Sequence, residues 1–99
     1  MRFEWDTEKK EKTNRNKHKV SFIEACYVFA DKYLLNLLDD EHSEDEDRWI
    51  TIGQTPNNKI LVVIHTYRRT KDKESVRIIS ARKATKTEEK QYLERRGGS

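Results

Sequence analysis

The sequence predicts an α+β domain of order β-α-α-β-β-β-β-α, in which consecutive strands form an antiparallel sheet and the two N-terminal helices and the C-terminal helix pack on one side of it. Three observations predict this. Helical spacing of apolar residues is clearest near Ser21, strand-like apolar runs fill the middle of the chain, and capping or turn residues stand at the junctions. With 99 residues the chain can bury one modest core, so residues 1–96 are read as a single domain and 97–99 as a frayed tail.

"RFEW" alternates and sets Phe3 and Trp5 on one face of a first strand, after which Asp6 stands as N-cap to a weakly amphipathic helix over Thr7–Lys17. The second helix is better defined. Ser21 and Glu24 have capping-box spacing, and Phe22, Ala25, Cys26 and Phe29 follow the i, i+3, i+4, i+7 rhythm of a buried stripe. Tyr33–Leu38 reads as a strand, "RWITIGQT" and "KILVVIHTY" as a hairpin turned by "PNN", and Ser75–Arg82 as the last strand. Thr85 and Glu88 supply a second capping box for a closing helix to about Arg95.

Net charge is +3, but the acidic residues are segregated: "DDEHSEDED", Asp39–Asp47, holds seven of the 18, leaving 21 basic residues against 11 acidic elsewhere. A body that basic suits a polyanion such as nucleic acid, or is a highly solvated surface. Cys26 is the single cysteine and lies on the apolar stripe, which excludes an internal disulfide and a multi-cysteine metal site. The acidic loop lacks the glycine-centred spacing of an EF-hand, so neither metal nor cofactor is expected. No apolar run approaches the roughly twenty residues of a membrane span and the first ten residues are not signal-like, so the expected location is the cytoplasm.

Arginines flank the apolar core of "SVRIISARKATKTEEKQY". In a regular strand Arg77 and Arg82 face opposite sides of the sheet. An unpaired arginine in a sheet is costly, so each needs a carboxylate, in a salt bridge, or a phosphate, in a site.

These residues carry a resemblance. The sequence is similar to the BrnT family of bacterial type II toxin–antitoxin toxins in "FEWD", "NKHKVSFIEACYVFAD", "HSEDEDRWITIG", "VVIHT" and the final "VRIISARKATKTEEKQY", whose Ala84, Glu88 and Tyr92 keep the family spacing. It departs where His18-Lys19 replaces a frequent His-Gly, which alters a turn. The resemblance implies a compact RelE-like fold and a ribonuclease that inhibits translation. It also implies neutralisation by a BrnA-like antitoxin with a ribbon-helix-helix DNA-binding part, an assembly of two copies of each chain, and contact with operator DNA only through that antitoxin. The other reading is a non-catalytic module that binds nucleic acid or the antitoxin.

RNA cleavage without a metal needs a base, an acid and cations for the developing phosphorane charge. Arg48, Arg77 and Arg82 are the phosphate-stabilising candidates, and His18 and Lys17 are candidates for proton transfer. Arg68, Arg69 and Lys71 form a basic tip beside a tyrosine, which with Tyr92 makes the RNA-binding set. Each has a plainer reading: His18 as an exposed cap, Arg48 as a salt bridge to the acidic loop, Tyr92 as packing on the sheet. His65 shares a strand face with Leu61, Val63 and Tyr67 and reads as a hydrogen-bonded core residue, while His42 among carboxylates reads as a solvated or partner-binding group.

Overall fold

The computed structural model describes residues 2–6, 8–42, 46–69 and 71–97. In chain order they form β1 (Arg2–Glu4), α1 (Glu8–His18), α2 (Phe22–Val28), β2 (Leu35–Leu38), a 3-10 turn (Asp40–His42), β3 (Trp49–Gln54), β4 (Ile60–Arg69), β5 (Glu74–Lys83) and α3 (Lys86–Arg95). The predicted order is present and the fold is α+β. The strands build one sheet of order β1-β5-β4-β3-β2.

β2 to β5 make the expected antiparallel meander. β1 instead runs parallel to β5, with Phe3 opposite Val76, so the sheet is mixed rather than wholly antiparallel. A parallel neighbour requires a long crossover, and here everything between β1 and β5 serves as that connection.

Both predicted capping boxes form. Ser21 Oγ accepts from the Glu24 N–H at 3.0 Å and Thr85 Oγ1 from the Glu88 N–H at 3.2 Å, while each glutamate accepts the N–H of its cap. α1 starts at Glu8, and the cap expected of Asp6 turns on the intervening position, which lies outside the described residues; the Asp6 carboxylate is engaged in ion pairs. α1 ends where Lys19 enters the left-handed region at φ +60°, its N–H donating to the Arg15 carbonyl at 2.8 Å. This is the turn at which the sequence departs from His-Gly.

The single buried residue of α1 is polar. Asn14 donates through Nδ2 to the carbonyls of Val20 and Ala81, both at 2.9 Å, and its Oδ1 accepts the Ala81 N–H at 3.1 Å. β1 pairs with β5 no further than Arg77, so Asn14 satisfies the outer backbone groups of Ala81 as a strand would.

The sheet is apolar on both faces. On one, Val20 and the α2 residues Phe22, Ala25 and Val28 pack against Leu61, Val63, Val76, Ile78 and Ala81. On the other, Tyr92 of α3 packs against Ile52 and Val62. α3 therefore lies on the face opposite α1 and α2, which corrects the expectation of helices on one side. The continuous apolar run Ile60–Ile64 supplies residues to both faces, and both need cover. Where α2 crosses β3 the backbones approach closely at Gly53, whose missing Cβ would fall 2.7 Å from Val28 Cγ1.

Candidate active site on the open sheet face

The site begins with an irregularity in β5. Ser80 lies opposite Ile64 and Ile78 opposite His65, which leaves Ile79 as an extra residue without a partner on β4. Such a bulge shifts strand parity by one. Arg82, opposite Val62, and Arg77, opposite Thr66, consequently share one face, the face on which α3 covers Ile52 and Val62. The regular-strand expectation of opposite faces is corrected by that extra residue.

Beyond α3 this face is open, and its rim is cationic. Arg48, Arg77 and Lys10 line a cavity of about 150 Å³ together with Asp6, Glu46 and Ile79. The Asp6 carboxylate pairs with Arg77 and, at 3.0 Å, with Lys10. Arg48 is fixed at the start of β3, where its carbonyl accepts the Asp39 N–H at 2.8 Å. Arg68 shares an adjoining cavity of about 200 Å³ with Arg77 and lies 3.8 Å from Glu4.

The other predicted site residues are distributed differently. Arg82 makes a bidentate bridge to Glu88, at 2.7 and 2.9 Å, so its acid comes from α3 and not from the acidic loop. The bonds from Arg82, helped by the Thr85 N–H, outweigh burial and hold the Glu88 carboxyl down at about 2. Tyr92 is fully buried, and its hydroxyl donates to Asp31. Burial, then that carboxylate, push the phenol up to about 12. His18 and Lys17 close α1 at the end away from Lys10, eight and seven residues or ~11–12 Å along the helix. Arg69 lies 3.9 Å from Glu74 and Lys71 is exposed at the hairpin tip. The side chain of His42 and residues 43–45 of the acidic loop lie outside the described residues.

His65 is the core residue its strand face predicts: fully buried, with Nε2 2.6 Å from Thr51 Oγ1 and its ring edge-on to Phe29 and Tyr67. Burial lowers its pKa to about 4, so it stays neutral near pH 7. Cys26 donates its thiol to the Phe22 carbonyl at 3.2 Å, and burial pushes it up to about 11.

Sequence reasoning overlooked Asp6 and Lys10 as site residues. The available signal was their i, i+4 spacing across the start of α1, beside a strand that carries arginine. Among the described residues, no helix is long and apolar enough to cross a membrane.

Fold and site together define a small, basic α+β protein that holds guanidinium groups at the rim of an open sheet face. Compared with protein-family models, residues 5–88 match the ribonuclease toxin BrnT of type II toxin-antitoxin systems, and the chain belongs to that family. A search of curated proteins found no match. Family membership carries with it RNA as the substrate class and an antitoxin as partner.

Proposed function

We propose that the protein is a metal-independent endoribonuclease whose scissile phosphate binds between Arg48 and Arg77. The observation that carries this reading is the convergence of those two guanidinium groups, with Lys10, on one cavity at the open face. Guanidinium stays charged and matches two phosphoryl oxygens at once, so the pair neutralises the charge that grows on phosphorus as the RNA 2′-hydroxyl attacks. The 2′-oxygen bonds to phosphorus, the bond to the 5′-oxygen breaks as that oxygen takes a proton from water, and the products are a 2′,3′-cyclic phosphate and a 5′-hydroxyl. An incoming phosphate competes with Asp6 for Arg77, which frees that carboxylate beside the reacting atoms to accept the 2′-hydroxyl proton. In this reading His18 and Lys17 contact flanking RNA, as do Arg68, Arg69 and Lys71, and Arg82 holds α3 against the strand.

Cleavage of cytoplasmic RNA then inhibits translation, and a BrnA-like antitoxin silences the enzyme by laying carboxylates across Arg48 and Arg77. Two copies of each chain would assemble, and operator DNA would be bound by the antitoxin's ribbon-helix-helix part. The test is cleavage of a labelled, ribosome-free RNA by purified protein in EDTA, beside Arg77→Ala. Cyclic-phosphate ends that vanish in the variant are expected. RNA binding without turnover, in EDTA and in translation extracts alike, would sink the catalytic reading in favour of a binding module.

A further inference from the structure

The face of the sheet opposite Arg77 carries a second, larger cavity. It has a volume of about 510 Å³, in the range of small-molecule sites, and is lined by Asn36, Asp47, Trp49, Tyr67, Arg69 and Glu74. Trp49 and Tyr67 meet edge to face, with ring centroids 5.8 Å apart. Behind them runs a chain of hydrogen bonds that ends in the core. Thr51 Oγ1 donates to Asn36 Oδ1 at 3.0 Å, so towards His65 Nε2, 2.6 Å away, it can only accept. The proton of neutral His65 therefore sits on Nε2. Nδ1, buried with no partner, is left as a bare acceptor, an orphan better tolerated than an N–H. Asn36, thus oriented, donates Nδ2 to Tyr67 Oη at 2.9 Å.

The chain has one direction, and it leaves the Tyr67 hydroxyl hydrogen without an acceptor among the described residues. A fixed donor beside two aromatic rings, faced by the carboxylates of Asp47 and Glu74, matches a flat heterocycle that offers an acceptor next to donors. Guanine has that edge, O6 beside N1–H and the N2 amino group, and unpaired RNA bases are read by such stacking and edge contacts. We propose that this cavity is the guanine-binding subsite of the ribonuclease, with Trp49 and Tyr67 stacking the base and the Tyr67 hydroxyl donating to it.

The inference rests on the RNA-cleaving reading and locates its base preference. Asp47 and Trp49 flank Arg48 in the chain, and alternation at the start of β3 sends Arg48 to the phosphate cavity and its neighbours to this one. An RNA strand crossing that rim places a phosphate on one face and the adjoining base on the other.

The test titrates the purified full chain with the 5′-monophosphates of guanosine, adenosine, cytidine and uridine, followed by tryptophan fluorescence. Trp49→Phe assigns the signal, since Trp5, which packs on Phe22 but also lines the cavity beside Arg77, can respond to a phosphate bound there. Saturable quenching by the guanosine nucleotide at concentrations at least tenfold below the others is expected, with the preference reduced to within twofold in a Tyr67→Phe protein whose thermal melt shows it folded. Equal binding of the four, preference for another base, or no quenching overturns the subsite even where RNA is cleaved in an Arg77-dependent way. Guanosine-selective quenching without cleavage leaves the subsite standing and removes the catalytic reading instead.

Discussion

Arg77 and Arg82 project from the same face of the sheet, five residues apart on β5, because Ile79 is an extra residue of β5 between them while their β4 partners, Thr66 and Val62, are four apart. Their bonds then divide their work. Arg77 pairs with Asp6 at the lip of the open cavity, whereas both outer nitrogens of Arg82 are taken up by Glu88 at the first turn of α3. One guanidinium can exchange its carboxylate for a phosphate at little structural cost. The other holds a helix.

Separate losses follow from this division. Arg82→Ala is expected to lower stability by about 1 kcal/mol, or ~5 °C in Tm, after allowing for solvent screening of a partly exposed pair. Glu88 contributes through a depressed folded pKa: its stabilisation is complete above the unfolded value near 4.5 and disappears as pH falls towards about 2, so the Tm gap between parent and variant should close over that interval. Arg77→Ala should leave the melt nearly unchanged and lower the cleavage rate about 100-fold, the usual effect of removing one transition-state donor. Calorimetry across pH and single-turnover cleavage distinguish the two; a Tm gap that persisted at pH 2 would contradict the Arg82 assignment.

The division also shows what the sequence could and could not reveal. Capping boxes at Ser21 and Thr85, and a Pro-Asn-Asn turn with Asn58 at φ +65°, are local arrangements of a few side chains on a few backbone groups, and all were readable. The bulge was not, because "VRIISAR" has two adjacent isoleucines and fits either parity. The side taken by α3 was equally hidden, since Ile60–Ile64 is apolar without alternation. Of the site, Arg48 and Arg77 were legible as cations near sheet ends. Their meeting with Asp6 and Lys10 depends on β1 lying beside β5, a tertiary pairing with no local signal.

Lys19 holds a backbone conformation that costs an L-residue about 1 kcal/mol, and glycine adopts it freely. Lys19→Gly should therefore stabilise the fold by about 1 kcal/mol, seen as a rise of ~5 °C in Tm. Lys19→Ala, which keeps the strain, is the control. An equal gain from alanine would mean that lost charge, not backbone geometry, is responsible.

Gly53 sets the spacing between α2 and β3. A Cβ there would lie 2.7 Å from Val28 Cγ1 and 3.2 Å from the Val28 carbonyl oxygen, so the first contact can be relieved by shortening Val28 and the second cannot. Gly53→Ala should cost about 1–3 kcal/mol by overpacking. In chemical denaturation the Gly53→Ala, Val28→Ala double variant should be less destabilised than the sum of the two single changes. Strict additivity would show that the methyl is accommodated elsewhere.

His65 makes stability depend on pH in a window distinct from that of Glu88. Its folded pKa, about 4, lies below the ordinary 6.5, so between those values the unfolded chain binds a proton that the folded one refuses. Stability is full above pH 6.5, falls by up to about 1.4 kcal/mol per pH unit on acidification, and levels off near pH 4, a loss on the order of 3 kcal/mol. His65→Gln retains a donor for Thr51 but does not titrate, so its denaturation midpoint should be flat from pH 6.5 to pH 4.5 while that of the parent declines. The same substitution preserves the shape of the aromatic cluster poorly, because Phe29 and Tyr67 both pack edge-on to the imidazole, and a lower midpoint at neutral pH is expected as well. The slope is therefore the informative quantity. A parent midpoint that did not change between pH 6.5 and pH 4.5 would mean that the fold does not hold the His65 pKa below its unfolded value; the hydrogen-bond direction from His65 to Tyr67 would stand in either case, because imidazolium also donates through Nε2.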